Sequence, residues 1–120
     1  RGRLAVKIAG VFKGAIETRE VPAGSVIFEA GDSGEEMFGI IKGKVELRLP
    51  DGRVFELGPD DCFGEMAVVD KSPRSASAVG IEHTTLAVID RRRFLFLVGE
   101  TPTFALQVMS SLADRLRHSH

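Results

Sequence analysis

Between Lys44 and Leu57 the chain spells out a β-hairpin. Val45, Leu47 and Leu49 alternate with Lys44, Glu46 and Arg48, and Val54, Phe55 and Leu57 return after Asp51-Gly52. A period of two puts one strand face in a core and the other in water. Asp-Gly between two such runs signals a tight turn. The pair must therefore be antiparallel, and its apolar face needs a second layer to cover it. The cadence recurs along the chain. Val26-Ile27-Phe28 runs into Ala30-Gly31-Asp32; Ser33-Gly34-Glu35-Glu36 is a polar loop; Met37-Phe38-Gly39-Ile40-Ile41 stops at Gly43; Ser75 to Val79 and Thr84 to Ile89 are the last strands. Many short strands punctuated by Gly and Pro predict a sandwich or jelly roll.

The ends differ in character. Leu4, Val6, Ile8, Val11 and Phe12 form an apolar stretch broken by Gly10 and Gly14, which predicts a short N-terminal helix. Asp90 suits a helix N-cap before Arg91–Val98, with Gly99 as the stop. Thr101-Pro102 opens another helix, whose apolar face is Phe104, Leu106, Val108, Met109, Leu112, Ala113 and Leu116. The expected layout is one domain of 120 residues: 1–17 helical, 18–89 a β-roll, 90–120 helices. That length supports a modest core without disulfides. The fold class is thus mainly β with flanking helices.

The residues with the most chemistry lie at Phe63-Gly64-Glu65-Met66-Ala67-Val68-Val69 and, after a short spacer, Pro73-Arg74-Ser75-Ala76-Ser77. Gly64 lets backbone approach a ligand closely. Met66 to Val69 can make one helical turn, whose free N–H groups favour an anion. Arg74 offers a planar fork of donors matched to phosphate. Glu65, when ionised, only accepts hydrogen bonds and so suits a sugar hydroxyl. Ser75 adds a hydroxyl and a backbone N–H beside Arg74, and Ala76 a backbone N–H with little bulk. A ligand carrying one phosphate and one free sugar hydroxyl would satisfy them all.

This segment resembles the phosphate-binding cassette of cyclic nucleotide-binding domains, whose pattern reads roughly F-G-E-[LM]-A-L-[IL], a spacer, then P-R-x-A-[TS]. The upstream framework is similar too: Pro22-Ala23-Gly24-Ser25-Val26-Ile27-Phe28, Gly31-Asp32, Met37-Phe38 and Gly43-Lys44-Val45-Glu46-Leu47. The Glu65-to-Arg74 spacing looks like that of the kinase regulatory subunit and bacterial channel branch; the catabolite activator branch has one residue more. The resemblance implies a cyclic nucleotide sensor without catalysis, with cAMP as ligand and cGMP as the alternative. It implies a β-roll with a short cassette helix. It places the cyclic phosphate against Gly64, Met66, Ala67, Arg74, Ser75 and Ala76, and the ribose hydroxyl on Glu65. Ser75 stands where cGMP-selective relatives carry a Thr that contacts guanine. The C-terminal helix would close over the base, with Leu112, Arg115, Leu116 and Arg117 as candidate capping residues. No cofactor is implied, and the output would pass to an effector domain or partner protein.

Competing readings are weaker. A net charge of −1 gives no general nucleic-acid or membrane-surface binder, and no apolar run is long enough to span a membrane. Cys62, the single cysteine, makes no internal disulfide and fits a reducing, cytoplasmic setting. Arg91-Arg92-Arg93 splay round a helix rather than forming one face. A cupin-like metalloenzyme needs about three imidazoles and a carboxylate facing inward; two of the three histidines, His118 and His120, lie in the tail and His83 in a turn, so no metal is expected. An interaction module that kept the fold and lost the ligand would have no use for Glu65 and Arg74. The chain opens on Arg1 and ends with its last helix, as expected of a domain excised from a longer protein, with no helix-turn-helix of its own.

Overall fold

The computed structural model describes residues 8–15 and 17–117, the side chains of the last three excepted. Among the described residues, eight strands and three helices follow in the order β1 (Thr18–Val21), β2 (Val26–Phe28), β3 (Glu36–Lys42), β4 (Val45–Arg48), β5 (Val54–Leu57), β6 (Cys62–Phe63), α1 (Glu65–Val69), β7 (Ser77–Gly80), β8 (Thr84–Asp90), α2 (Arg91–Glu100) and α3 (Thr103–Arg117). They build two four-stranded sheets, ordered β1-β8-β3-β6 and β2-β7-β4-β5. Every pairing is antiparallel.

The expected hairpin is β4–β5, in register from Val45↔Leu57 to Arg48↔Val54. Its turn is three residues long: Leu49 N–H donates to the Arg53 carbonyl (2.8 Å) and Gly52 N–H to the Leu49 carbonyl (3.0 Å). Gly52 takes φ +94°, a left-handed conformation that glycine adopts without steric cost.

Two apolar clusters hold the molecule together. Inside the roll, Val21, Phe38, Ile40, Val45, Leu47, Leu57, Phe63, Ala78, Leu86 and Val88 pack between the sheets. On the outer face of the β1-β8-β3-β6 sheet, Met37, Cys62, Ala87 and Ile89 meet Phe12, Val68, Phe104 and Val108. Strands β3 and β8 are thus buried on both faces. That is why Met37–Ile41 and Leu86–Ile89 read as continuous apolar runs while β4 alternates. Phe12 lies flat on Gly39, where a Cβ would come within 2.4 Å of its ring, and meets Phe104 edge-on at 6.0 Å.

β3 begins one residue earlier than expected, at Glu36, and β4 ends at Arg48 before Leu49; three further differences have an identifiable cause. The described part of the expected N-terminal helix, residues 8–15, is a run of turns; Val11, Lys13 and Ala15 N–H groups each reach back three residues. Gly10 at φ +69° interrupts any helix. Helix α2 runs through Gly99 and stops at Thr101 (φ −135°, ψ 81°), because Pro102 disfavours helical backbone in the residue before it. Strand β7 begins at Ser77, since Arg74 is tied to the Gly31-Asp32 turn and holds Ser75 and Ala76 out of the sheet. The N-cap expectation for α2 holds: the Asp90 carboxylate accepts from Arg93 N–H at 2.8 Å.

One turn joins the chain's two ends. Asp60 adopts φ +71°. Its carboxylate accepts from Gly10 N–H (3.0 Å) and its carbonyl from Gln107 Nε2 (2.7 Å).

Candidate functional site

Strand β6 ends at Gly64, which takes φ +79° and ψ 15° and turns the chain into α1. A side chain there would be strained by the backbone and would also place a Cβ 2.8 Å from Arg74 Nη1. Helix α1 is a single turn, closed by Asp70 N–H donating to the Met66 carbonyl at 3.0 Å. The Asp70 carboxylate then accepts from the N–H (3.0 Å) and hydroxyl of Ser72. These bonds hold the Asp70 carboxyl below its ordinary range, the hydroxyl bond first. The chain is thereby bent back towards the roll and delivers Arg74.

Arg74 is fixed by its backbone and its head alike. Its N–H donates to the Asp32 carbonyl and its carbonyl accepts from Gly31 N–H, both at 2.8 Å. Its guanidinium lies over the Phe28 ring, 4.2 Å from the centroid, and Nη1 donates to the Gly64 carbonyl at 3.2 Å. The residue is only 8 % exposed, and burial lowers its pKa from the ordinary guanidinium value; Glu36 and Asp32 oppose that shift and Arg19 adds to it. Arg74 enters none of the ion pairs among the described residues, and its buried Nε has no acceptor. A buried cation without a carboxylate partner is costly, and an anion arriving beside it would relieve that cost.

The space beside it is a cavity of about 410 Å³, within the range that holds a small ligand. Gly64, Met66, Ala67, Arg74, Ser75 and Ala76 all border it, and so does Leu112 of α3. Six of the seven cassette positions singled out in the sequence therefore meet at one wall. The seventh, Glu65, is fully buried at the first position of α1 and does not border the cavity. Of the capping candidates, Leu112 reaches the cavity; the side chains of Arg115, Leu116 and Arg117 lie outside the described residues. Sequence reasoning missed Phe28, Leu47, Leu49 and Pro73, which complete the lining. Leu47 and Leu49 carried a signal, the inward face of an alternating strand. Phe28 carried none, because a strand of three residues defines no periodicity.

Among the described residues, no group of three His, Cys, Asp or Glu side chains could hold a metal ion, and no helix is long and apolar enough to cross a membrane.

Comparison with known proteins agrees with this geometry. Residues 18–101 match the family model described as cyclic nucleotide-binding domain. The chain is 31% identical over 128 aligned residues to a CRP-like cAMP-activated global transcriptional regulator of Mycobacterium tuberculosis, covering 93% of this chain and 57% of that protein. It is 36% identical over 101 residues to a cyclic nucleotide-gated potassium channel of Rhizobium etli, covering 84% of this chain and 28% of the channel. The crystal structure of the Thermus thermophilus catabolite activator protein superposes with a TM-score of 0.72 at 37% identity, covering 86% of this chain and 51% of that one. The relatives fall on both sides of the branch division suggested by the Glu65-to-Arg74 spacing. The chain spans between about a quarter and three fifths of their lengths.

Proposed function

The chain belongs to the family of cyclic nucleotide-binding domains, and from that premise we propose that its cavity binds one 3′,5′-cyclic nucleotide, cAMP in preference to cGMP, as a regulatory signal. The observation that carries this reading is Arg74: a buried guanidinium that enters no ion pair among the described residues and borders a largely apolar cavity. A singly charged cyclic phosphate supplies the missing anion through charge-assisted hydrogen bonds. Ser75, exposed at the rim, and the Ala76 backbone stand beside it. Glu65, fully buried and not part of the cavity lining, takes the ribose hydroxyl once α1 turns its carboxylate towards the ligand. Phe28, Leu47, Leu49, Met66, Pro73 and Leu112 give the base an apolar slot; the sparse polar lining offers guanine little to reward its extra donors.

Signalling requires that the ligand contact one conformation better than another. The cassette and α3 both border the cavity, together with strands β2 and β4, so ligand drawn between cassette and helix couples their positions. Leu112 is the capping candidate whose side chain, among the described residues, borders the cavity, and Arg115, Leu116 and Arg117 follow it on the same helix. The domain performs no catalysis, binds no nucleic acid itself, and hands its state to an effector domain or partner protein. Side-by-side calorimetric titration with cAMP and cGMP tests the assignment: one-site binding of cAMP, tighter than cGMP, is expected. No heat and no rise in melting temperature with either nucleotide would leave the alternative of an interaction module on the same fold.

A further inference from the structure

We propose that Phe28 and Gly34 are positioning residues that set the plane and the depth of the Arg74 guanidinium. This rests on the reading of the cavity as a cyclic nucleotide site and adds how its cation is held ready.

Phe28, Gly34 and Gly64 bound the guanidinium, and the first two lie outside the cassette. The Phe28 ring faces it at 4.2 Å, within cation–π range. That ring is itself wedged against Phe38 and Phe63, with centroids at 6.1 and 5.9 Å, so it is a fixed floor rather than a mobile cover. Gly34 closes the outer edge. A Cβ at Gly34 would lie 2.5 Å from Nη2, 2.8 Å from Nε and 2.9 Å from Cζ. The guanidinium therefore occupies the volume that any side chain at position 34 would need. Gly34 lies outside the left-handed region, so glycine is required there by Arg74 and not by the backbone. Gly64 supplies the remaining edge, its carbonyl accepting from Nη1.

With floor and edges fixed, the long side chain loses its rotamer freedom on folding rather than on binding, which strengthens association. The fork also meets the phosphate already oriented, and misplacement of such a group by about 1 Å can cost on the order of 100-fold. Gly34→Ala separates this role from folding. The methyl would push against the flexible end of an arginine, which can move aside while the backbone stays.

The experiment measures Kd for cAMP by calorimetry, and melting temperature without ligand, for wild type and variants. Gly34→Ala should weaken binding on the order of 10- to 100-fold with an unchanged ligand-free melt. Gly58→Ala, where an added Cβ meets nothing within 4 Å, should bind as wild type. Phe28→Leu should weaken binding on the order of 10-fold, and Phe28→Tyr, which keeps the ring, should stay within about twofold. In an Arg74→Ala background the Gly34→Ala effect should vanish, and the Phe28→Leu effect should shrink to what the ring contributes as cavity lining. Should Gly34→Ala lower the melt, the Leu-against-Tyr contrast at Phe28 and its cycle with Arg74→Ala decide the matter. Wild-type affinity in Gly34→Ala, or effects that simply add to that of Arg74→Ala, would overturn the positioning role while leaving the binding site standing. A wild-type chain that binds neither cAMP nor cGMP would overturn the site and the positioning together.

Discussion

Arg74→Ala should separate ligand binding from folding. The side chain makes one long hydrogen bond, at 3.2 Å to the Gly64 carbonyl, and two cation–π contacts, at 4.2 Å to Phe28 and 5.7 Å to Phe38. Each is worth about 1 kcal/mol. Against them stands the cost of burying an unpaired guanidinium, of similar size and opposite sign. The ligand-free variant should therefore melt within a few degrees of wild type. Binding is another matter, because removing one partner of a buried charge-assisted pair costs ~2–5 kcal/mol, roughly 30- to 3,000-fold in affinity. At a cAMP concentration of about 100 times the wild-type Kd, the wild type gains about 2.7 kcal/mol. At about 4 °C per kcal/mol for a domain of this size, its melt rises by about 10 °C. A variant weakened about 100-fold gains only about 0.4 kcal/mol at the same concentration, or about 2 °C. Differential scanning fluorimetry at that one concentration, supported by calorimetry, reads the contrast directly. A full ligand-induced shift in Arg74→Ala would refute the assignment of the guanidinium to the phosphate. Arg74→Lys should recover little, since a point charge on a flexible stem lacks the two-pronged geometry held over Phe28.

Glu65→Gln should weaken binding less than Arg74→Ala and narrow the preference for cAMP over its 2′-deoxy analogue; equal wild-type affinity for the two nucleotides would remove the ribose role from Glu65. Truncation after Ser111 deletes Leu112 from the cavity wall, so affinity should fall while circular dichroism still reports an intact β-core, whose strands all precede Arg91. Hydrogen exchange should show cAMP protecting Gly64–Val69 and the Phe104–Leu112 stretch together; protection of the cassette alone would contradict a coupled C-terminal helix. Asp90→Ala removes the acceptor for Arg93 N–H and should lower stability by about 1 kcal/mol without changing Kd.

The parts of this fold that the sequence declares are those where one local rule acts alone. The β4–β5 pair alternates because one face is buried and the other wet, and Gly52 sits where the turn needs a positive φ. The Gly64-to-Val69 turn is legible for the same reason, since a left-handed glycine and a helical turn leave their mark on neighbouring residues. Elsewhere long-range contacts decide. Strand β1 buries only Val21 and gains its shape from β8, so Thr-Arg-Glu-Val carries no apolar signal. Strand β6 is two residues long, below any periodicity. The N-terminal apolar stretch reads as a helix because its spacing fits one, yet the flat ring of Phe12 on Gly39 and the bend at Gly10 give turns instead. The site divides likewise. Local motif chemistry singled out Gly64, Met66, Ala67, Arg74, Ser75 and Ala76, which meet at the cavity. Phe28 and Gly34 stand 46 and 40 positions before Arg74 and reveal their part only once the β-roll brings them together.

The turn at Asp60 narrows what the chain can become. A residue held at φ +71° selects for glycine, asparagine or aspartate. Glycine would relax the backbone and lose the acceptor for Gly10 N–H. Bulkier residues would keep neither the conformation nor the bond. Asparagine alone preserves both, through its amide oxygen. Because the same peptide also accepts from Gln107, a poor replacement loosens the N-terminal segment and the C-terminal helix in a single step. Mutational drift at position 60 is thus confined to Asp and Asn. Insertions in the Gly58–Asp61 turn should be poorly tolerated, because Asp61 is buried and the turn is bonded to Ile40 as well.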